Sequence, residues 1–93
     1  MITVIIERHL ADDMIDTYEA FARKVMQAAV EAPGFISGES FHRMDAPDVR
    51  FLIVKMRTAE DWQRWQRSPE RSELISQLQP TLKYPEKITL LSH

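Results

Sequence analysis

The chain has 93 residues, 44% hydrophobic and 28% charged, with a formal net charge of −2. Such a chain fits one globular domain, residues 1–93, that removes only about 60–65% of its unfolded surface from water. It has no cysteine, which excludes disulfides, thiolate catalysis and cysteine zinc sites, and its mixed charges lack the concentrated positive field of a nucleic-acid groove.

No apolar run is long enough to span a bilayer. The opening MITVIIER is apolar but short, and charge follows at once, so it is no secretory signal and a cytoplasmic location is expected. Ile2–Arg8 reads as a strand from its β-branched run. Asp12 and Asp13 offer side-chain oxygens and negative charge where a helix begins. Met14, Tyr18, Phe21, Ala22, Val25, Met26 and Ala29 then recur with the helical period, as far as Glu31. Pro33-Gly34 stops that helix.

Phe35–Arg43 and Val49–Arg57 read as strands joined through a turn at Met44–Asp48, a hairpin. Thr58 with Asp61 resembles a capping box at the start of a second helix. Ser68-Pro69 is a further start signal, an N-cap followed by proline at the first helical position, so the helix kinks or restarts there. Leu74, Ile75 and Leu78 continue the stripe until Pro80, and Lys87–Leu91 is the last strand. The order β-α-β-β-α-β, with an echo between IIERHLADDM (5–14) and IVKMRTAEDW (53–62), predicts a ferredoxin-like α+β sandwich with an antiparallel sheet.

A sheet with one wet face should alternate apolar and polar residues. Here Ile2, Val4 and Ile6 lie on one face of the first strand and Ile5 on the other. The third strand has Phe51 and Ile53 on one face and Leu52, Val54 and Met56 on the other. An apolar second face calls for cover, and a second copy packed sheet to sheet supplies it, so a homodimer is expected.

Element order and short motifs resemble the antibiotic biosynthesis monooxygenase (ABM) family of dimeric α+β barrels. MITVIIER resembles that family's first strand, and EAPGF (31–35) its helix end and following strand start. TAEDW (58–62) and WQRSPER (65–71) resemble its second helix and the break within it. The resemblance implies a dimer with a pocket between each sheet and its helices. It also implies oxygenation of quinols and polycyclic phenols without a cofactor, or haem degradation.

With only Gly34 and Gly38, neither a phosphate loop nor a dinucleotide fingerprint can form. His9, His42 and His93 show no metal-ligand spacing, so no metal is expected. Cofactor-free oxygenation asks for a dry aromatic pocket, a small aromatic molecule that donates electrons to O2, and one proton removed by a base tuned near working pH. Glu7 is a candidate base, since burial raises a carboxyl pKa. The resemblance turns its face, shared with Thr3 and Ile5, toward helices and pocket. It is equally a solvated strand-end glutamate paired with Arg8 or Arg57. His9 and His42 titrate near neutrality and are the other candidates. Tyr18 either packs in the core or donates a hydrogen bond into the pocket.

Trp62 and Trp65 share a helix face at i and i+3. Trp62 is expected to pack and Trp65 to wall a pocket beside the Ser68-Pro69 break. Haem-degrading members of the resembled family carry a helix tryptophan, which Trp65 matches. Their axial histidine is replaced here by Ile75 and their first-strand asparagine by Glu7, which argues against haem. A dimeric binding or stress-associated protein without catalysis is the alternative reading.

Overall fold

The computed structural model describes residues 1–93. The elements are β1 (Ile2–His9), α1 (Ile15–Val30), β2 (Phe35–His42), β3 (Val49–Met56), α2 (Ala59–Gln66), α3 (Pro69–Leu78) and β4 (Lys87–Ser92). A 3-10 turn at Gln79–Thr81 precedes the last strand. The sheet order is β2-β3-β1-β4, antiparallel throughout. This is the ferredoxin-like α+β sandwich. No helix is long and apolar enough to cross a membrane.

The period-2 pattern decides which face is core. On β1, Val4, Ile6 and Arg8 are buried while Thr3, Ile5, Glu7 and His9 stay half-exposed. Register carries the same face across β3, where Ile6 pairs with Leu52, Val4 with Val54 and Ile2 with Met56. Tyr18, Val25 and Ala29 of α1, both tryptophans of α2 and Leu78 of α3 close over that face. The opposite face carries Ile5, Ile53, Phe51 and Phe41 in paired register, and Phe41 is largely exposed.

The helix starts separate two kinds of signal. Thr58 Oγ1 accepts a hydrogen bond from the Asp61 N–H at 3.1 Å, and Ser68 Oγ accepts from the Arg71 N–H at 3.2 Å with Pro69 behind it. Both caps match the sequence reading, and Ser68-Pro69 does divide the second helix in two. Asp12 and Asp13 do not cap α1. Met14 occupies the N-cap without a side-chain bond, because Asp13 adopts φ 62° and turns the chain before the helix begins. At the far end of α1, Gly34 takes φ 87° in the turn into β2, a conformation that favours glycine.

Candidate functional site

Between the sheet and the helices lies a small apolar cavity of about 20 Å3, room for about one water-sized atom. Its walls include Ile6 and Arg8 from β1, Met26 from α1, Trp62 and Trp65 from α2, and Arg71 from α3. Trp62 is 1% exposed and does not simply pack: it lines the cavity together with Trp65. The i, i+3 spacing puts both rings over the sheet, and Trp65 alone of the two also lines a hollow of about 140 Å3 beside Ser68.

A charged cluster closes one end. Arg8 Nε donates to Glu86 Oε2 at 2.9 Å, and Arg71 Nη2 donates to Glu86 Oε1 at 2.6 Å. The side chains are 1%, 6% and 9% exposed for Arg8, Arg71 and Glu86. Burial pushes the Glu86 carboxyl up, but the charges and hydrogen bonds of Arg8 and Arg71 outweigh it and hold the carboxyl below its ordinary range. Arg8 Nη1 also donates to the Tyr18 hydroxyl at 3.1 Å. The Tyr18 ring has the Arg8 and Arg50 guanidinium carbons at 5.9 and 5.8 Å from its centre, and the Arg71 carbon lies 5.6 Å from the Trp62 ring centre.

Next to the cavity is a wider groove of about 260 Å3, with Tyr18, Arg23, Ser40 and Arg50 on its walls. Met26 and Leu52 belong to both linings and so form the partition between them. Methionine is flexible and unbranched. Its sulfur rests against the bare backbone of Gly38, where an added Cβ would stand 2.9 Å from it.

The three candidate bases lie elsewhere. Glu7 and His9 sit on the uncovered face of the sheet, a third exposed, with Glu7 Oε2 and His9 Nε2 2.7 Å apart. The His9 ring meets Tyr84 edge-on at 5.5 Å. The expectation that the Glu7 face looks toward the helices is therefore overturned. Strand alternation gives the helix side to Val4, Ile6 and Arg8, and a base must come within hydrogen-bond reach of its proton. Glu7 pairs with His9 rather than with Arg8 or Arg57. His42 is exposed at the end of edge strand β2. No three histidine or acidic side chains converge to hold a metal ion, and Ile75 is half-buried without a ligand atom.

The residues missed in the sequence are Arg8, Arg71 and Glu86. Arg8 was legible, because it continues the parity of Val4 and Ile6. The other two were not, since their meeting depends on packing between α3 and the segment before β4.

Residues 1–76 match the family model for antibiotic biosynthesis monooxygenase. No curated protein matches the chain by sequence. Among solved structures, an antibiotic biosynthesis monooxygenase superimposes with a TM-score of 0.90 at 13% identity, covering 100% of this chain and 98% of its own. Rv0793 from Mycobacterium tuberculosis gives 0.88 at 17% identity, with 99% and 93% covered. SnoaB, a cofactor-independent oxygenase from Streptomyces nogalater, gives 0.87 at 12% identity, with 99% and 91% covered. At such identities the structural matches establish a shared fold.

Proposed function

This chain belongs to the antibiotic biosynthesis monooxygenase family, and we propose that it is a cofactor-independent monooxygenase that oxidises a small, flat phenolic or quinol substrate with O2. The observation that carries the reading is the cavity walled by Trp62 and Trp65, with a buried arginine pair at one end. The substrate ring lies in the Tyr18–Arg50 groove against Met26, the space with room for it, and reaches toward the tryptophan-walled cavity. Its anion supplies the electrons. In the simplest stoichiometry, for an anthrone-type phenol whose keto tautomer carries a ring CH2, that carbon becomes C=O with one atom of O2, and its two hydrogens leave with the other oxygen as water.

The working unit is a homodimer packed through the open sheet face. Ile5, Phe41, Phe51, Ile53 and Leu91 share that face in register, and a second copy covers them at the cost of no new element. Covering the face also closes the Glu7–His9 pair away from solvent.

Oxygen uptake by metal-stripped protein, with a panel of quinols and anthrones, tests the reading. Uptake with formation of the oxidised product is expected. Binding without uptake would instead mark a sequestering protein, and no binding at all would remove the cavity as a site.

A further inference from the structure

The side chains around the small cavity offer hydrogen-bond donors and no oxygen acceptor. The Trp62 Nε1–H and the Arg71 Nε–H on its walls have no partner, and the two residues are 1% and 5% exposed. A buried donor left unpaired is costly, and native interiors leave few of them. The Arg71 guanidinium carbon stands 5.6 Å from the Trp62 ring centre, so the two donors are neighbours. None of the 12 lining side chains carries an oxygen. Indole and guanidinium nitrogens only donate, and the thioethers of Met26 and Met56 accept weakly.

Water suits such a site poorly. A water that accepts from both N–H groups turns its own two O–H groups on apolar walls, whereas a buried water typically makes about three hydrogen bonds. An occupant that only accepts leaves nothing unsatisfied. Charge narrows the class further. Arg8 and Arg71 bring two positive charges against the single negative charge of Glu86, and no other charged residue lines the cavity. A buried charge without a partner is expensive, so one negative charge beside Trp62 and Arg71 balances the cluster. The free space of about 20 Å3 admits one atom, and neither a carboxylate, a phosphate nor a ring. The flexible methionine side chains give way to an ion slightly larger than water.

We propose that this cavity is a halide site, in which one chloride ion accepts from the Trp62 Nε1–H and the Arg71 Nε–H. The ion neutralises the Arg8–Glu86–Arg71 cluster and joins the sheet to the second and third helices. Because it binds only the folded chain, it stabilises the fold by mass action. The site needs no organic ligand and no turnover, and it stands apart from whatever occupies the Tyr18–Arg50 groove.

Thermal unfolding at fixed ionic strength tests it, with sodium chloride replaced stepwise by sodium gluconate, whose anion is too large for the cavity. Chloride is expected to raise the melting temperature along a saturating curve, by roughly 5–10 °C at ten times its dissociation constant. Bromide should do the same. As a heavy atom in contact with Trp62 it should also dim the tryptophan fluorescence to a plateau. Trp62→Phe removes one donor and should weaken the halide affinity about three- to tenfold. Arg43→Gln, which removes an exposed cation, should leave that affinity unchanged. Should Trp62→Phe fail to fold, crystals of the unaltered protein soaked in bromide give the second reading, one anomalous peak within hydrogen-bond distance of Trp62 Nε1 and Arg71 Nε. Equal melting in chloride and gluconate, quenching that rises linearly with bromide, or a cavity without a bromide peak would overturn the proposal. Such a failure would leave the oxygenase reading standing, since none of these measurements involves a quinol or O2.

Discussion

Glu86→Gln removes the one negative charge between two buried guanidiniums and keeps the shape of the side chain. Arg8, Arg71 and Glu86 are all under 10% exposed, so solvent cannot screen the two cations that remain. Breaking a buried pair by removing one partner costs about 3–5 kcal/mol. Glutamine still accepts one hydrogen bond, which puts the expectation at the lower end, about 3 kcal/mol. A chain of this length has roughly 5–14 kcal/mol of stability in total, and the melting point should fall by roughly 12–25 °C. Urea unfolding followed by tryptophan fluorescence and far-UV circular dichroism measures the loss at pH 7. The pH dependence has a definite sign. A carboxyl whose folded pKa is depressed stabilises above its unfolded value of 4.5 and loses that contribution as pH falls through the lower folded value. The gap between wild type and Glu86→Gln should hold from pH 7 to about 5 and narrow below roughly pH 4. Asp45→Asn is the control. Arg43 holds Asp45 by two hydrogen bonds of 3.0 and 2.7 Å and lowers its pKa, but both groups are exposed. Water screens that pair, so the unfolding midpoint should not move. A loss under about 1 kcal/mol for Glu86→Gln, or a gap that stays constant into acid, would refute the buried-cluster argument.

Three further outcomes follow from the fold. Ile53→Lys puts a charge at the centre of the open sheet face, opposite Ile5; sedimentation velocity should show a wild-type dimer and a monomeric variant with unchanged circular dichroism, and a monomeric wild type would refute the packing. Thr58→Ala removes the hydroxyl that accepts from the Asp61 N–H, and the urea midpoint should fall by an amount equivalent to about 1 kcal/mol. Gly34→Ala meets two penalties, a φ of 87° and overlap of the new Cβ with the Asp61 carboxylate, so it should cost more than the roughly 1 kcal/mol of a left-handed non-glycine residue alone; a neutral result in the same unfolding assay would contradict it.

The elements were legible because the signals were local. β-branched runs, the 3.6-residue period of α1 and the oxygens of Thr58 and Ser68 all act within a few residues of where they appear. Asp12 and Asp13 carried the same chemical signal as Thr58, yet the left-handed Asp13 spends those residues on a reversal of the chain. A cap depends on the backbone angle as well as on the side chain. The site was less legible. Alternation along β1 separated Val4 and Ile6 from Thr3, Ile5 and Glu7 correctly but did not say which set faces the helices, and the expectation chose the wrong one; the same parity buries Arg8. A charged residue at a strand end reads as solvated, and only the contact with Glu86, 78 residues away, shows otherwise. The opposite parity puts Glu7 on the outer face, where its near neighbour is His9. Trp62 and Trp65 were legible as a pair on one helix face. Their shared cavity depends on where Met26 and Arg71 meet them, which spacing alone does not fix.

The central claim is that the chemistry belongs to the helix side of the sheet, with Met26 between groove and cavity. Oxygen uptake with the quinol and anthrone panel should therefore be compared among wild type, Met26→Trp and Glu7→Gln, each checked by circular dichroism. Met26→Trp fills groove space beside that partition and should lower kcat/KM by about tenfold or more, whereas Glu7→Gln should stay within about twofold of wild type. Loss of uptake in Glu7→Gln with Met26→Trp unaffected would place the reaction on the opposite face and contradict the account.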